Sequence, residues 1–275
     1  MAKLSKKIGF MGSGAICEVL LHGMVSNGTV DAKNIFIYDV RESRLEELKA
    51  RYGVNPAESN LEVIKSADYV FSCVRSEYAV ELAEEIASAD MGGRTLITIS
   101  SGVPMLLYES KFKGLSAARA LPNPPSRIGE GAIVIAFNKS CAEEDKRNIM
   151  SLFGAMGKCF EIREEQIDAA TAVTGPAYPL SLFQAAVEAS VLLGFDVKTA
   201  QEMVMQTIKG VLKTWENDPD KIAQLLSQAA TPGGISARMI YFLDKERFKY
   251  AVKGCIEEGA LRTKAFGEGI KARIK

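Results

Sequence analysis

Gly12, Gly14 and Cys17 stand at the spacing G-x-G-x-x-small inside the stretch Lys7 to Cys17, KIGFMGSGAIC. That spacing suits the pyrophosphate of a dinucleotide. Ile8, Phe10 and Met11 form a short buried strand. Gly9, Gly12 and Gly14 open a turn, and Ala15 to Val25 continues as an apolar-rich helix. One glycine lets the chain turn sharply, and the next removes a side chain so that the backbone can approach the phosphates. The helix N-terminus adds unpaired N–H groups and a partial positive charge. Gly12, Ser13, Gly14, Ala15 and Ile16 are therefore candidate cofactor residues. Asp39 ends a second strand, Ile35 to Tyr38. A carboxylate there accepts from a ribose hydroxyl, which favours NAD, and repels a 2′-phosphate. Arg41 and Arg44 carry the opposite charge and would attract one. Asp39 is also a good helix-capping residue, and the two roles can coexist.

A second glycine turn, Thr231-Pro-Gly-Gly-Ile-Ser236, opens a helix near the other end of the chain. Its backbone N–H groups and the helix N-terminus suit a carboxylate, with Thr231 and Ser236 adding hydroxyls. The same turn also serves as a plain helix start. No well-placed general acid or base is visible. Hydride transfer to an already protonated imine needs none, since it depends on orientation and electrostatics. His22 is the sole histidine, which excludes His-rich metal sites and makes a Ser–His–Asp or Cys–His triad untenable.

The elements that must position these residues alternate. After the second strand come a charged helix, Arg41 to Tyr52, and a short strand beginning at Gly53-Val54. Then follow a helix at Leu61 to Ser66, a strand at Tyr69 to Val74, a helix at Tyr78 to Ser88 and a strand at Thr95 to Ile99. This rhythm predicts a parallel sheet with helices on both faces. Ligands of such sheets bind beyond the carboxyl ends of the strands. That edge carries Gly12 to Ile16, Asp39 to Arg41, Val74 to Glu77, Ser100 to Val103 and Pro122 to Pro125. Arg75 thus faces cofactor or solvent.

Leu115 to Leu121 and Ala132 to Phe137 read as further strands around a rigid polar loop at 122–129. Glu143 to Met156 reads as a helix, and Cys159 to Ile162 as a last strand. From Gln166 onward the strand pattern stops. Helices are expected at Tyr178 to Leu193, Lys198 to Glu216, Ile222 to Ala229, Ala237 to Leu243 and Arg247 to Ala265. The fold class is α/β. A Rossmann-type dinucleotide-binding domain spans 1–164, and an all-α domain for substrate and dimerisation spans 165–275. Leu180, Leu182, Phe183, Val187, Val191 and Leu192 leave the first long helix few polar positions, so a subunit interface should bury them.

The chain has 275 residues, 47% hydrophobic and 25% charged, which allows a sizeable core. Its 34 basic and 34 acidic residues balance, with no basic block, arguing against a nucleic-acid or anionic-membrane partner. MAKLSKK is too short for a signal peptide, and no apolar run reaches membrane-spanning length. A cytoplasmic protein is expected. Its 5 cysteines form no C-x-x-C pair, and Cys73 and Cys159 read as small buried hydrophobes.

Four pieces together resemble one family, over nearly the whole length of the chain. They are IGFMGSG at 8–14, ARALPNPPSRIGEG at 118–131, TGPAY at 174–178 and TPGGIS at 231–236. In this order they resemble pyrroline-5-carboxylate reductases. The resemblance implies reduction of the C=N bond of a cyclic imino acid by NADPH or NADH. It also implies an intertwined homodimer, with dimers often assembling into a decamer. Cofactor contacts would fall at Gly12 to Ile16, Asn60, Val74 to Glu77, Ile99, Ser100, Ser101 and Asn123. The substrate carboxylate would rest on Gly233 and Gly234, helped by Thr231. Ser236 would replace the family threonine that meets the ring nitrogen, acting as the catalytic contact; in the family that turn completes the site at the dimer interface. The departures cluster at these positions. Val-Lys-Pro becomes Val74-Arg75-Ser76, and Met-Pro-Asn-Thr-Pro becomes Leu121-Pro-Asn-Pro-Pro125. Gly-Thr-Thr becomes Gly234-Ile235-Ser236. A related cyclic imine, or a non-catalytic nucleotide-binding regulator, are the alternatives they leave. A β-hydroxyacid dehydrogenase would carry a lysine in Tyr178 to Gly194, and none is there.

Overall fold

The computed structural model describes residues 3–218 and 221–274. Apolar runs become strands: β1 (Ile8–Met11), β2 (Ile35–Tyr38), β3 (Asn55–Pro56), β4 (Tyr69–Ser72), β5 (Thr95–Thr98), β6 (Ser116–Leu121), β7 (Gly131–Phe137) and β8 (Gly157–Glu161). Between them lie α1 (Ala15–Ser26), α2 (Glu42–Tyr52), α3 (Asn60–Ser66), α4 (Ala79–Glu85), α5 (Leu106–Glu109) and α6 (Glu143–Gly154). The strands form one sheet in the order β3-β2-β1-β4-β5-β6-β7-β8. Five neighbouring pairs from β3 to β6 are parallel, and the order reverses beside β1, as in a Rossmann domain.

β7 runs antiparallel to β6. The connection is a 3₁₀ turn, Pro124–Ile128, ended by Gly129 at φ +79°. It is too short for the helical crossover a parallel strand needs, so the chain doubles back. Alternation along the strands splits the core into two layers. Ile8, Phe10, Phe71 and Ile97 pack with Leu20 of α1, Leu48 of α2 and Phe153 of α6. Phe10 and Phe71 stack at 4.9 Å between ring centroids. Met11, Val70 and Leu96 pack on the other face with Val63 of α3, Leu82 of α4 and Tyr108 of α5.

Gly9 belongs to β1 and not to the turn. A Cβ there would lie 2.6 Å from the Val63 side chain, so this glycine lets α3 approach the sheet. Cys17, at the third small position, is fully buried in the first layer. Cys73 is buried as expected, whereas Cys159 is only half-buried; all five cysteines are free thiols. Burial pushes the Cys159 thiol up to about 11. His22 lies beside Ser26 and the Tyr52 ring, an ordinary packing position.

The remaining helices are α7 (Glu164–Val173), α8 (Ala177–Leu192), α9 (Val197–Glu216), α10 (Ile222–Ala229), α11 (Ile235–Lys245) and α12 (Phe248–Lys271). Two compact units result, and their limits differ from a single break at residue 164. One unit runs up to Thr174 and resumes at Gly259; the other is Gly175–Glu258. Ile167 of α7 and Ile270 of α12 are buried in the second core layer, which holds both segments to the sheet. The helical unit has no comparable core. Among its described residues only Ala200 is buried, while Leu180, Leu192, Met239, Tyr241 and Phe242 are exposed.

Candidate active site

A cleft of about 1330 Å³ opens beyond the carboxyl ends of β1, β2, β4 and β5, all within the first unit. Its size exceeds an ordinary small-ligand pocket and suits a dinucleotide. The glycine turn forms its floor. Gly12 has φ +89°, and a Cβ on it would meet the Cys73 carbonyl carbon and the Val74 nitrogen at 3.0 Å. Gly12 therefore serves the turn and its packing against the end of β4. Gly14 meets nothing within 4 Å of its missing Cβ, so it is the glycine that leaves room for a ligand. It also starts α1 with no side-chain cap, leaving first-turn N–H groups for an anion.

Asp39 lines the cleft at the end of β2. Its Oδ2 accepts from the Ser13 N–H at 2.8 Å, and its Oδ1 from the Arg41 N–H at 3.1 Å. Arg41 adds Nε at 2.9 Å and Nη2 at 3.2 Å. Burial would raise its pKa, but Arg41 and the two backbone donors outweigh that and hold it at about 2. Asp39 is not the cap of α2; that position is Arg41, which makes no side-chain cap. Arg44, a sequence candidate for a 2′-phosphate, is committed elsewhere. It donates to the Ser13 carbonyl at 3.0 Å, to Glu47 at 2.6 Å and to Glu18 at 2.5 Å.

Most of the expected cofactor residues meet at this cleft: Gly12, Gly14, Ala15, Ile16, Asp39, Arg41, Asn60, Val74, Arg75, Ser76, Glu77, Ile99, Ser100 and Ser101. Ser76 Oγ donates to the Ser101 carbonyl at 2.6 Å, and Ser100 Oγ to the Val74 carbonyl at 2.6 Å, tying the β4 and β5 loops together. Arg75 pairs with Glu77 and stacks on Tyr78. Asn60 donates to both Glu85 oxygens at 3.0 Å. Ser13 and Asn123 do not line the cleft. Ser13 is buried behind the turn. Asn123 donates to the Thr174 carbonyl at 2.9 Å and accepts from the Ala132 N–H at 2.9 Å, so its side chain is spent bracing the β6–β7 connection.

The residues present fit a dinucleotide. Asn60 Oδ1, at the cleft, is buried without a hydrogen-bond partner, α1 is uncapped, and Gly14 faces open space. Sequence reasoning missed one wall: Arg262, Thr263 and Phe266 of α12. Phe266 packs on Gly102, whose φ is +72°. No local signal marks these three; only the small residues Gly259 and Gly267 hint at a close approach of this helix to α7 and the β5 loop.

In the helical unit, the turn from Thr231 has the expected form. Gly233 takes φ +74°, the Gly234 N–H donates to the Thr231 carbonyl at 2.9 Å, and Gly234 starts α11 without a side-chain cap. A Cβ on Gly234 would collide with Thr231 Oγ1. Ser236 lies in the first turn of α11, half-buried. Among the described residues no cluster of metal-binding side chains occurs.

Residues 164–266 match a family profile described as pyrroline-5-carboxylate reductase dimerisation, and residues 7–102 one described as NADP oxidoreductase, coenzyme F420-dependent. The pyrroline-5-carboxylate reductase of Methanosarcina acetivorans is 26% identical over 267 residues, covering 96% of this chain and 99% of that one. That of Escherichia coli is 28% identical over 256 residues, covering 90% and 94%. The crystal structure of Plasmodium falciparum pyrroline carboxylate reductase with NADP bound matches with a TM-score of 0.86. Its sequence is 28% identical, and the match covers 97% of this chain and 100% of that one. Fold and cleft thus define an NAD(P)H-dependent oxidoreductase with a Rossmann-type domain and a helical dimerisation domain. Within that class the chain is similar to pyrroline-5-carboxylate reductases over nearly its whole length, and residues 164–266 carry that family's dimerisation profile.

Proposed function

We propose that this chain reduces pyrroline-5-carboxylate to proline. The observation that supports this most is the pairing, in one chain, of a fitted dinucleotide cleft with a Thr-Pro-Gly-Gly turn opening a helix. Bound NADPH or NADH supplies a hydride. Gly14, Ala15 and Ile16 hold the pyrophosphate on the α1 N-terminus, while Asp39 and Asn60 serve the adenosine side. Arg75, Ser76, Ile99 and Ser101 shape the opposite end of the cleft. The N–H groups of Gly233 and Gly234 take the substrate carboxylate, with Thr231 beside them. The Ser236 hydroxyl orients the ring nitrogen. That nitrogen arrives protonated, the hydride adds to its carbon, and the C=N double bond becomes a single bond without a protein acid. Residues 165–275 supply substrate contacts and the homodimer, which the bare helical unit requires to cover its apolar faces. Dimers assemble further, towards a decamer. Neither nucleic acid nor a membrane is a partner: charge is balanced, and no helix among the described residues is long and apolar enough to cross a bilayer. Free thiols throughout suit the cytoplasm.

The test is oxidation of NADH and NADPH, followed at 340 nm, with a panel of cyclic imino acids. Turnover of pyrroline-5-carboxylate above the other imines is expected. Faster turnover of another imine would overturn the substrate, and nucleotide binding without any turnover would favour a regulator.

A further inference from the structure

We propose that the cleft selects the nucleotide lacking a 2′-phosphate, NADH, and that Asp39 is the selecting residue. This rests on the reading that the cleft holds a nicotinamide dinucleotide. Asp39 stands at the end of β2, where a Rossmann domain meets the adenosine ribose. Its carboxylate cannot swing away, because the Ser13 N–H holds one oxygen at 2.8 Å and the Arg41 N–H the other at 3.1 Å. It is ionised at every physiological pH, since its pKa is held at about 2.

The two cations next to Asp39 in sequence, Arg41 and Arg44, are already engaged. Arg41 makes two side-chain bonds to Asp39 itself. Arg44 is divided among Glu18, Glu47 and the Ser13 carbonyl. Glu81 and Glu85 also line the cleft, the latter held by Asn60. A 2′-phosphate beside the Asp39 carboxylate would enter a place already negative. A ribose hydroxyl in that place donates to Asp39 and needs no cation. Arg41 offers an opposing route, because its side chain is 58% exposed and can turn outward. Selection therefore depends on Asp39 keeping it.

The experiment is calorimetric titration of the full chain with NADH and with NADPH. NADH should bind at least about tenfold more tightly, the value of one good charged hydrogen bond. Asp39→Asn keeps an oxygen for the Ser13 N–H but loses the charge. It should close most of that gap, chiefly by tightening NADPH. Adding Arg41→Ala should remove the gain, showing that the freed guanidinium made it. Equal or tighter binding of NADPH by the unsubstituted chain overturns the proposal. So does an unchanged ratio in a folded Asp39→Asn variant; if that variant fails to fold by thermal melting, the unsubstituted ratio alone decides. Binding of neither nucleotide would defeat the dinucleotide reading itself, a different result from reversed preference.

Discussion

Arg119 on β6, 2% exposed, donates from Nη2 to Asp168 Oδ1 on α7 at 2.5 Å. This ion pair holds α7 against the sheet. Arg119 Nε is buried and has no partner; Asp168 is the carboxylate that pairs with the guanidinium, and Glu164 adds a more distant negative charge. Asp168→Ala would leave a buried charge unpaired, at a cost of about 3 kcal/mol, the low end for a broken buried pair because Asp168 keeps some solvent access. Replacing both residues, Arg119→Met with Asp168→Leu, should cost less than Asp168→Ala alone, since no charge is then stranded. Urea unfolding of the two variants and the unsubstituted chain measures the difference. A double variant less stable than Asp168→Ala would contradict it.

The two glycines of the first turn should fail in different ways. Gly12 has a positive φ and backbone atoms at 3.0 Å from its missing Cβ. Gly12→Ala should therefore lower stability by about 1–3 kcal/mol and weaken nucleotide binding through the distorted turn. Gly14 has an ordinary φ of −68° and open space beside it. Gly14→Ala should melt like the unsubstituted chain yet bind dinucleotide at least about tenfold more weakly, because its methyl group enters ligand space. Thermal melting and fluorescence titration of both proteins separate the roles. Equal affinity in Gly14→Ala would show that no ligand approaches there.

These local features were legible because each depends on neighbours in sequence. The strand Ile8–Met11, the helix after Gly14 and the strand Ile35–Tyr38 follow from apolar runs and glycines within a few residues. What escaped depends on distant partners. Arg119 lies inside an apolar strand pattern, and its partner is 49 residues away. The amphipathic pattern of α12 continues from Phe248 to Lys271 without a break, so nothing local marks its return to the sheet unit at Gly259. Phe266 and Arg262 reach the cleft for that reason alone. Asn123 carried a cofactor contact by resemblance, but the geometry that spends its side chain on Thr174 and Ala132 is tertiary.

Asp39 also gives stability a pH dependence. Its folded pKa, about 2, lies below the roughly 3.9 of an unfolded aspartate. The contribution is therefore fully present above pH 4 and is lost as pH falls from about 4 to about 2. Its partner Arg41 is largely exposed, so solvent screens the pair and the loss is a fraction of what a fully buried pair would give. Melting temperatures between pH 6 and pH 2.5 should fall more steeply for the unsubstituted chain than for Asp39→Asn. Parallel curves would show that Arg41 and Ser13 do not stabilise the folded carboxylate.

Ser236 separates chemistry from capping. Gly234, not Ser236, starts α11, so the serine hydroxyl is not the helix cap. Ser236→Ala should then change the melting temperature little, well under the roughly 1 kcal/mol that a lost N-cap costs. Its effect should fall on the substrate. Losing one hydrogen bond to the ring nitrogen costs about 1–3 kcal/mol, or roughly ten- to a hundred-fold in kcat/KM for the imine. The nucleotide dissociation constant should stay unchanged, because the serine does not line the cleft. Ser236→Thr keeps the hydroxyl and should retain most activity. Steady-state kinetics, nucleotide titration and melting on both variants decide the matter together. An alanine variant with unaltered kcat/KM would remove Ser236 from the reaction, and one that melts early with normal kinetics would return it to a purely structural role.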